Sequence, residues 1–117
     1  MTHPSHDTEV EQVEVPALSA EMLQQRLDAM PGDKVTQQSI EARILATTFF
    51  GLADTTVTIC SITMVNGFSV RGESACVDPA NFDIEIGRQL AYRDAFSKLW
   101  RLEGYLLAER RFAEGQA

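Results

Sequence analysis

Few side chains of this 117-residue chain have the chemistry of a nucleophile, a general base or a metal ligand. Histidine occurs only at His3 and His6, close to the start of the chain. A catalytic Cys–His or Ser–His pair would need this segment to fold back over Cys76 or Ser74 within hydrogen-bond distance. Cys60 and Cys76 lack the paired C-x-x-C spacing of a zinc site. We therefore predict no catalytic residue, no metal site and no cofactor, and we do not expect an enzyme.

Carboxylates are the one chemically useful group that clusters in the sequence. Glu73, Asp78, Asp83 and Glu85 lie around a predicted strand-to-helix junction. Paired carboxylates can carry out acid–base chemistry or bind magnesium. Asp78 and Asp83, however, stand where a helix begins, and an aspartate there caps free backbone N–H groups. Capping accounts for the cluster, so a hydrolase that uses it is our third hypothesis for function.

A second feature is a run of small residues inside a predicted strand, Gly72-Glu73-Ser74. Glycine within a strand often marks a bulge or a close approach of another backbone. A small ligand could occupy this notch, or a helix could pack into it through Gly87 and Ala91. Both possibilities stay open from the sequence.

The candidate ligand or interface residues lie around this notch and along the segment that follows it. They are Gly72, Glu73, Ser74, Asp78, Asn81, Arg88, Tyr92, Trp100 and Tyr105. The basic residues among the helical positions, such as Arg88, Arg93 and Lys98, do not share one helix face. The formal charge of the chain is −7. Because nucleic-acid binding needs clustered cations, we expect no direct binding to nucleic acid.

A β-hairpin must position the notch. Asn66-Gly67 separates two β-rich runs, and Asn-Gly is a strong signal for a two-residue hairpin turn. This turn predicts that Val65 pairs with Phe68. One face of the hairpin would then carry Val57, Ile59, Ser61, Thr63 and Val65 with Phe68, Val70, Gly72, Ser74 and Cys76. Cys60 would lie on the opposite face from Cys76, so we expect two reduced thiols with structural roles.

Two helices are predicted before the hairpin. Leu18–Met30 has apolar residues at helical spacing, with Ser19 as N-cap. A second helix should follow Thr36 as N-cap and continue to Phe49, because Ile40, Ile44, Leu45 and Phe49 form an apolar stripe.

After the hairpin, Asp78-Pro79 signals a short turn and Asp83 caps a long helix. The apolar pattern predicts this main helix over Ile84–Trp100, with a bend near Gly104 and a terminal helical segment over Tyr105–Phe112.

These elements predict a small α+β domain: N-terminal helices, a central antiparallel hairpin and a long C-terminal helix. We expect residues 1–16 to form an acidic flexible tail and residues 17–117 to form a single domain. The start of the chain lacks the basic and apolar regions of a secretory signal, and no apolar run is long enough to span a membrane. A cytoplasmic protein is the expectation.

The segment NGFSVRGESACVDPANFDIEIGRQLAYRDAFSKLWRLEGYLLAER resembles the C-terminal signature of a tailed-phage protein family. That family is described by gene product 49 of an enterobacterial podovirus and gene 66 of a Shigella phage. The resemblance spans about Ile59 to Arg110, with Arg101 where the family often has proline. It implies a phage or prophage protein in the host cytoplasm, and it transfers no catalytic residue.

The leading hypothesis is a non-catalytic phage accessory protein that binds a host or phage macromolecule in a host-takeover or counter-defence role. We expect this macromolecule to be a protein. The alternative is a protein that binds or sequesters a small, nucleotide-like ligand at the Gly72 notch. A lone hairpin has two unpaired edges. We therefore also expect that two chains could form a homodimer through a hairpin edge or through the aromatic residues of the last helix.

Overall fold

The computed structural model describes residues 17–116, which fall into two compact units, residues 17–32 and residues 33–116. The predicted tail, with His3 and His6, lies outside the described residues. The described elements, in chain order, are α1 (Ala20–Asp28), α2 (Gln37–Glu41), β1 (Ile44–Gly51), β2 (Val57–Met64), β3 (Ser69–Ala75), a 3₁₀ turn (Pro79–Asn81), α3 (Ile84–Ser97) and α4 (Leu99–Ala113). The α+β class is confirmed.

The first unit contains α1. Ser19 is its N-cap, as predicted, and the Ser19 hydroxyl accepts a hydrogen bond from the Met22 N–H at 3.1 Å. The helix is shorter than predicted and ends at Asp28. Its apolar stripe is exposed by about half and consists of Met22, Leu23, Leu27 and Met30.

The second predicted helix is mostly wrong. Thr36 caps α2 and forms a capping box with Ser39, but the helix ends at Glu41. The next stretch is strand β1, which pairs antiparallel with β2. Its sequence, ILATTFFG, is rich in β-branched and aromatic residues, which suit a pleated surface. Pairing with β2 gives these backbone groups partners in a sheet, and this overrides the helical spacing of the apolar residues.

The hairpin lies where it was predicted, but the predicted register of its strands was wrong. Its loop has three residues, because the Met64 N–H donates to the Phe68 carbonyl and the Gly67 N–H donates to the Met64 carbonyl, both at 2.8 Å. Val65 and Phe68 are therefore not partners. Gly67 has φ 89°, and Asn66 is not among the described residues with positive φ. A two-residue type I′ turn needs positive φ at both positions, whereas a three-residue loop needs it only at the last.

This shift by one residue exchanges the faces of β2 relative to β3. Ile62 pairs with Val70 and Cys60 pairs with Gly72. The face toward α3 thus carries Cys60 and Ile62, both fully buried, instead of Ile59 and Ser61.

The two cysteines are free, although the predicted reason was wrong. Cys60 lies opposite Gly72, and Cys76 lies four residues further along the chain, about 13 Å in extended geometry. This separation exceeds the reach of a disulfide bond.

Helix α3 packs over β2 and β3 at one face of the three-stranded sheet of the described residues, whose strand order is β1-β2-β3. The approach is closest at Gly72, where an added Cβ atom would lie 2.1 Å from the Ala95 nitrogen and 2.6 Å from the Ala91 oxygen. The Ser74 hydroxyl donates to the Gly87 carbonyl at 2.6 Å. The buried core consists of Ile40, Cys60, Ile62, Met64, Val70, Ala91, Ala95, Phe96 and Leu99.

The long C-terminal helix is bent, but the break lies at Lys98 and not near Gly104. Leu99, directly after the break, is almost fully buried, and the Lys98 ammonium donates to the Arg71 carbonyl of β3. These two contacts hold the chain to the sheet where α3 ends. Gly104 lies inside α4, and Arg101 lies in its first turn, where proline is tolerated.

Two glycines give a matched test of this packing. Gly72→Ala should lower the free energy of unfolding by about 3 kcal/mol, because the added methyl group overlaps backbone atoms of α3. Gly104→Ala should raise it by about 1 kcal/mol, because Gly104 is inside a helix and no atom lies within 4 Å of the added carbon. Urea unfolding followed by circular dichroism measures both. A Gly72→Ala variant as stable as the wild type contradicts the close approach.

Candidate functional site

The predicted site residues do not meet at one place. Ser74 and Asn81 line a pocket at the start of α3, Arg88 and Tyr92 lie toward β1, and Tyr105 is 67% exposed on α4. The arrangement therefore offers separate surfaces and not one assembled site.

The pocket at the start of α3 has a volume of about 120 Å³. The end of β3 contributes Ser74 and Cys76, the turn before α3 contributes Asn81 and Phe82, and α3 contributes Ile86. Among them, Ser74 and Cys76 were the possible nucleophiles, and Ser74 and Asn81 were candidate ligand or interface residues.

The polar groups of this region already have structural partners. The Cys76 thiol donates to the Asp78 carbonyl at 3.0 Å, and the Thr56 hydroxyl donates to the Cys76 carbonyl at 2.5 Å. The Asp78 carboxylate accepts from the Ala80 N–H at 3.0 Å. Asp83 caps α3, as predicted, and accepts from two N–H groups of its first turn. The pocket thus holds backbone in place, and its groups are not arranged as a nucleophile and a base.

The Gly72 notch is occupied by helix α3, so it is not an open ligand site on that face. Glu73 pairs with Ile59 on the other face of the sheet, where its side chain is exposed. Its backbone N–H donates to the Asp94 carboxylate at 2.9 Å.

Arg88, Tyr92 and Trp100 lie on the side of α3 and α4 that carries aromatic contacts. The Arg88 guanidinium lies 5.8 Å from the centre of the Phe49 ring. The Phe96 ring lies between Tyr92 and Trp100, with centroid distances of 5.7 and 6.0 Å. Trp100 remains 41% exposed.

A groove of about 310 Å³ runs beside Arg88 at the end of β1. Its lining is mainly apolar and includes Phe49, Leu52, Phe82 and Ile84. A cation among aromatic and aliphatic side chains can hold an anionic group or the face of a planar ring.

Burial sets the ionisation of two groups near the core. It raises the pKa of the Cys60 thiol above its ordinary value, because the charged form would lose its hydration. Burial also raises the pKa of the Tyr92 hydroxyl, with a smaller effect from the Glu41 carboxylate and a further one from Cys60. Both groups are therefore protonated and unreactive near neutral pH.

An exposed apolar stripe, which was not predicted, lies at the start of α3. It consists of Phe82 in the turn before the helix and of Ile86 and Leu90 on α3, with exposed fractions of 43%, 58% and 48%. Asp83 and Glu85, both exposed, lie at its N-terminal end. The four-residue spacing of Ile86 and Leu90 is visible in the sequence, but the sequence does not reveal that this side of α3 extends past the sheet.

Residues 17–116 contain no group of three or more His, Cys, Asp or Glu side chains placed to hold a metal ion. Within the same residues, no helix has both the length and the apolar character needed to cross a bilayer.

Comparison with known proteins gives one match. The model of the Phage protein (N4 Gp49/phage Sf6 gene 66) family matches residues 35–111, which is most of the chain. No curated protein and no solved structure matches.

The environments of the cysteines predict different reactivities. At pH 7.5 a maleimide should modify Cys76, which is partly exposed, and should not modify Cys60, which is buried with a raised pKa. Mass spectrometry should show one adduct in the native protein and two in denaturant. The Cys76→Ser variant, as control, should show no adduct in the native state. Equal rates of modification at both thiols in the native wild type contradict the prediction.

Proposed function

The chain belongs to this family of phage proteins, and from that premise we propose that it is a non-catalytic accessory protein that binds a basic protein of the host or of the phage. The observation that carries the proposal is the exposed stripe formed by Phe82, Ile86 and Leu90. Clustered large apolar side chains on a surface are typical of protein interfaces.

The chemistry around the stripe favours a basic partner. Asp83 and Glu85 are exposed beside its first residues, and the whole chain carries a formal charge of −7. Apolar side chains can supply the buried centre of an interface, while surrounding carboxylates steer a basic partner and set its orientation. A basic amphipathic segment would satisfy both parts of this surface.

The carboxylates and the thiol that could have taken part in catalysis have structural hydrogen bonds instead, and this favours a binding role. Asp78 and Asp83 accept backbone hydrogen bonds at helix starts, and the Cys76 thiol donates to a backbone carbonyl. A hydrolase based on the acidic cluster would have to remove these carboxylates from their caps, at a cost of about 1 kcal/mol each.

A second candidate function is binding of a nucleotide-like ligand in the groove beside Arg88. The groove combines a guanidinium with the Phe49 and Phe82 rings in about 310 Å³. Such a set can pair with a phosphate and stack on a base. This groove replaces the Gly72 notch as the place for a small ligand, because α3 occupies the notch.

A matched pair of double variants tests the protein-binding proposal. Ile86→Ser with Leu90→Ser removes the two stripe residues of α3, and Leu102→Ser with Leu106→Ser removes two side chains of α4 that are exposed to a similar degree. Partners captured from host lysate by the wild type are identified, purified and titrated by calorimetry at low and high salt. We expect the first double variant to weaken affinity at least tenfold, about 1.4 kcal/mol. The α4 control should bind like the wild type, and high salt should weaken both.

Two results would overturn the proposal: no protein enriched over the bait-free control, or equal affinity of the two double variants. A thermal-shift series with nucleotides separates the second candidate. A ligand-dependent rise in melting temperature that Arg88→Gln abolishes favours the groove, while an unchanged melting temperature with every nucleotide counts against it.

A further inference from the structure

The sheet has two outer edges within the described residues, one on β1 and one on β3, and the chain treats them differently. On β3, the outward N–H of Glu73 donates to the Asp94 carboxylate at 2.9 Å. The outward carbonyl of Arg71 accepts from the Lys98 ammonium. Side chains of the helical layer thus occupy two of the backbone groups that an added strand would need. Charged groups on an edge are a recognised protection against strand pairing.

Within residues 17–116, no side chain covers the outer edge of β1 in this way. The Leu52 N–H donates to the Val57 carbonyl on the β2 side at 3.1 Å. Because backbone groups alternate between the two sides of an antiparallel strand, those of Thr47, Phe49 and Gly51 point away from β2. In the part of the chain that the structure describes, no hydrogen bond reaches these groups. The eight residues of β1 also contain no charged side chain and no proline.

We propose that β1 pairs antiparallel with β1 of a second copy of this chain, so that the two sheets continue into one. A two-fold axis perpendicular to the sheet would place Thr48 opposite Thr48 of the second copy. In this register Thr47 and Phe49 exchange backbone hydrogen bonds across the axis. Ile86 and Leu90, the α3 residues of the stripe, lie beside the end of β3 and not at this edge, so the inference does not depend on the proposed function.

The side chains of β1 are self-complementary in this register. On the face toward α3, Thr47 lies beside Phe49 of the second copy, and on the other face Ala46 lies beside Phe50 of the second copy. Each aromatic ring therefore meets a small side chain, and the two-fold axis repeats both pairs. Cross-strand pairs of an aromatic and a β-branched residue stabilise sheets by about 0.2–1 kcal/mol each. Phe50, which is 51% exposed in the single chain, would be partly buried against the second copy.

Charge also favours a second copy in antiparallel orientation. Two chains with a formal charge of −7 repel each other, so an uncharged contact strand keeps that repulsion small. Arg43, just before β1, forms an ion pair with Glu103 at 3.0 Å, so its charge is already compensated within one chain. In the antiparallel arrangement the two Asp54 side chains, which follow β1, lie at opposite ends of the paired strands, whereas a parallel arrangement would bring them together.

Sedimentation equilibrium over a wide concentration range tests the association. The wild type should show a concentration-dependent dimer mass. Thr47→Pro removes an outward N–H without breaking the β2 ladder, so it should remain folded and lower the association constant at least tenfold. The matched control is Ser69→Pro, at an outward position of the protected β3 edge, which should dimerise like the wild type. A monomeric wild type at every concentration, or a folded Thr47→Pro variant that dimerises normally, overturns the proposal.

A crosslinking experiment tests the register and does not need proline. In a Cys76→Ser background, Thr48→Cys places thiols at a non-hydrogen-bonded pair, where Cα atoms lie about 4.5 Å apart and a disulfide can form. We expect a disulfide-linked dimer on mild oxidation. The Thr47→Cys control places its two thiols on a diagonal, about 7 Å or more apart, and should crosslink much less. Equal crosslinking of both variants, or none of Thr48→Cys, counts against this pairing.

Discussion

The contact of the α3 backbone with β3 at Gly72 determines the arrangement of the rest of the domain. Any side chain at this position would collide with the Ala91 oxygen and the Ala95 nitrogen. Glycine inside a strand costs about 1 kcal/mol relative to alanine. The close approach offsets that cost, because it allows large core residues such as Phe96 and Leu99 to be buried, at about 1.5–3 kcal/mol each. It also brings Asp94 within hydrogen-bond distance of the β3 edge.

The helix caps were predictable from the sequence, but the register of the hairpin and the pairing of β1 with β2 were not. Ser19, Thr36, Asp78 and Asp83 all cap the helical segments expected of them, because a cap depends only on residues two or three positions away. The turn lies at Asn66-Gly67 as predicted, but its loop has three residues and not the predicted two, because Asn-Gly is compatible with both. That single residue decides which face of β2 is buried. The residues of β1 carried a helical apolar spacing, and only the availability of β2 as a partner makes them a strand.

The candidate surfaces depend on where the sheet ends, which no local pattern reveals. Gly87, Ala91 and Ala95 mark the line along which α3 approaches the sheet. Residues one position before this line and one position after it lie about 100° to either side of the helix. On one side, Phe96 lies over the sheet and is buried. On the other side, Ile86 and Leu90 extend past β3, the last strand, and stay exposed. The sequence showed an amphipathic helix, but the sheet of the described residues has three strands, so half of the apolar side of α3 lies beyond β3 as surface.

The same asymmetry explains why the two edges of the sheet differ. The helical layer overhangs β3, so its side chains can reach that edge, and Asp94 and Lys98 do so. It does not extend past β1, since the groove there is bounded by Arg88 on the Phe49 ring. A strand added at β3 would have to displace two charged groups, whereas among the described residues no side chain binds the outward backbone groups of Thr47, Phe49 and Gly51. Ile86 and Leu90 therefore extend past one edge of the sheet, and the outer edge of β1 lies at the other. Phe82 also lines the groove beside Phe49 and Phe50 of β1. A partner that contacts Ile86 and Leu90 and a second copy on β1 could bind at the same time.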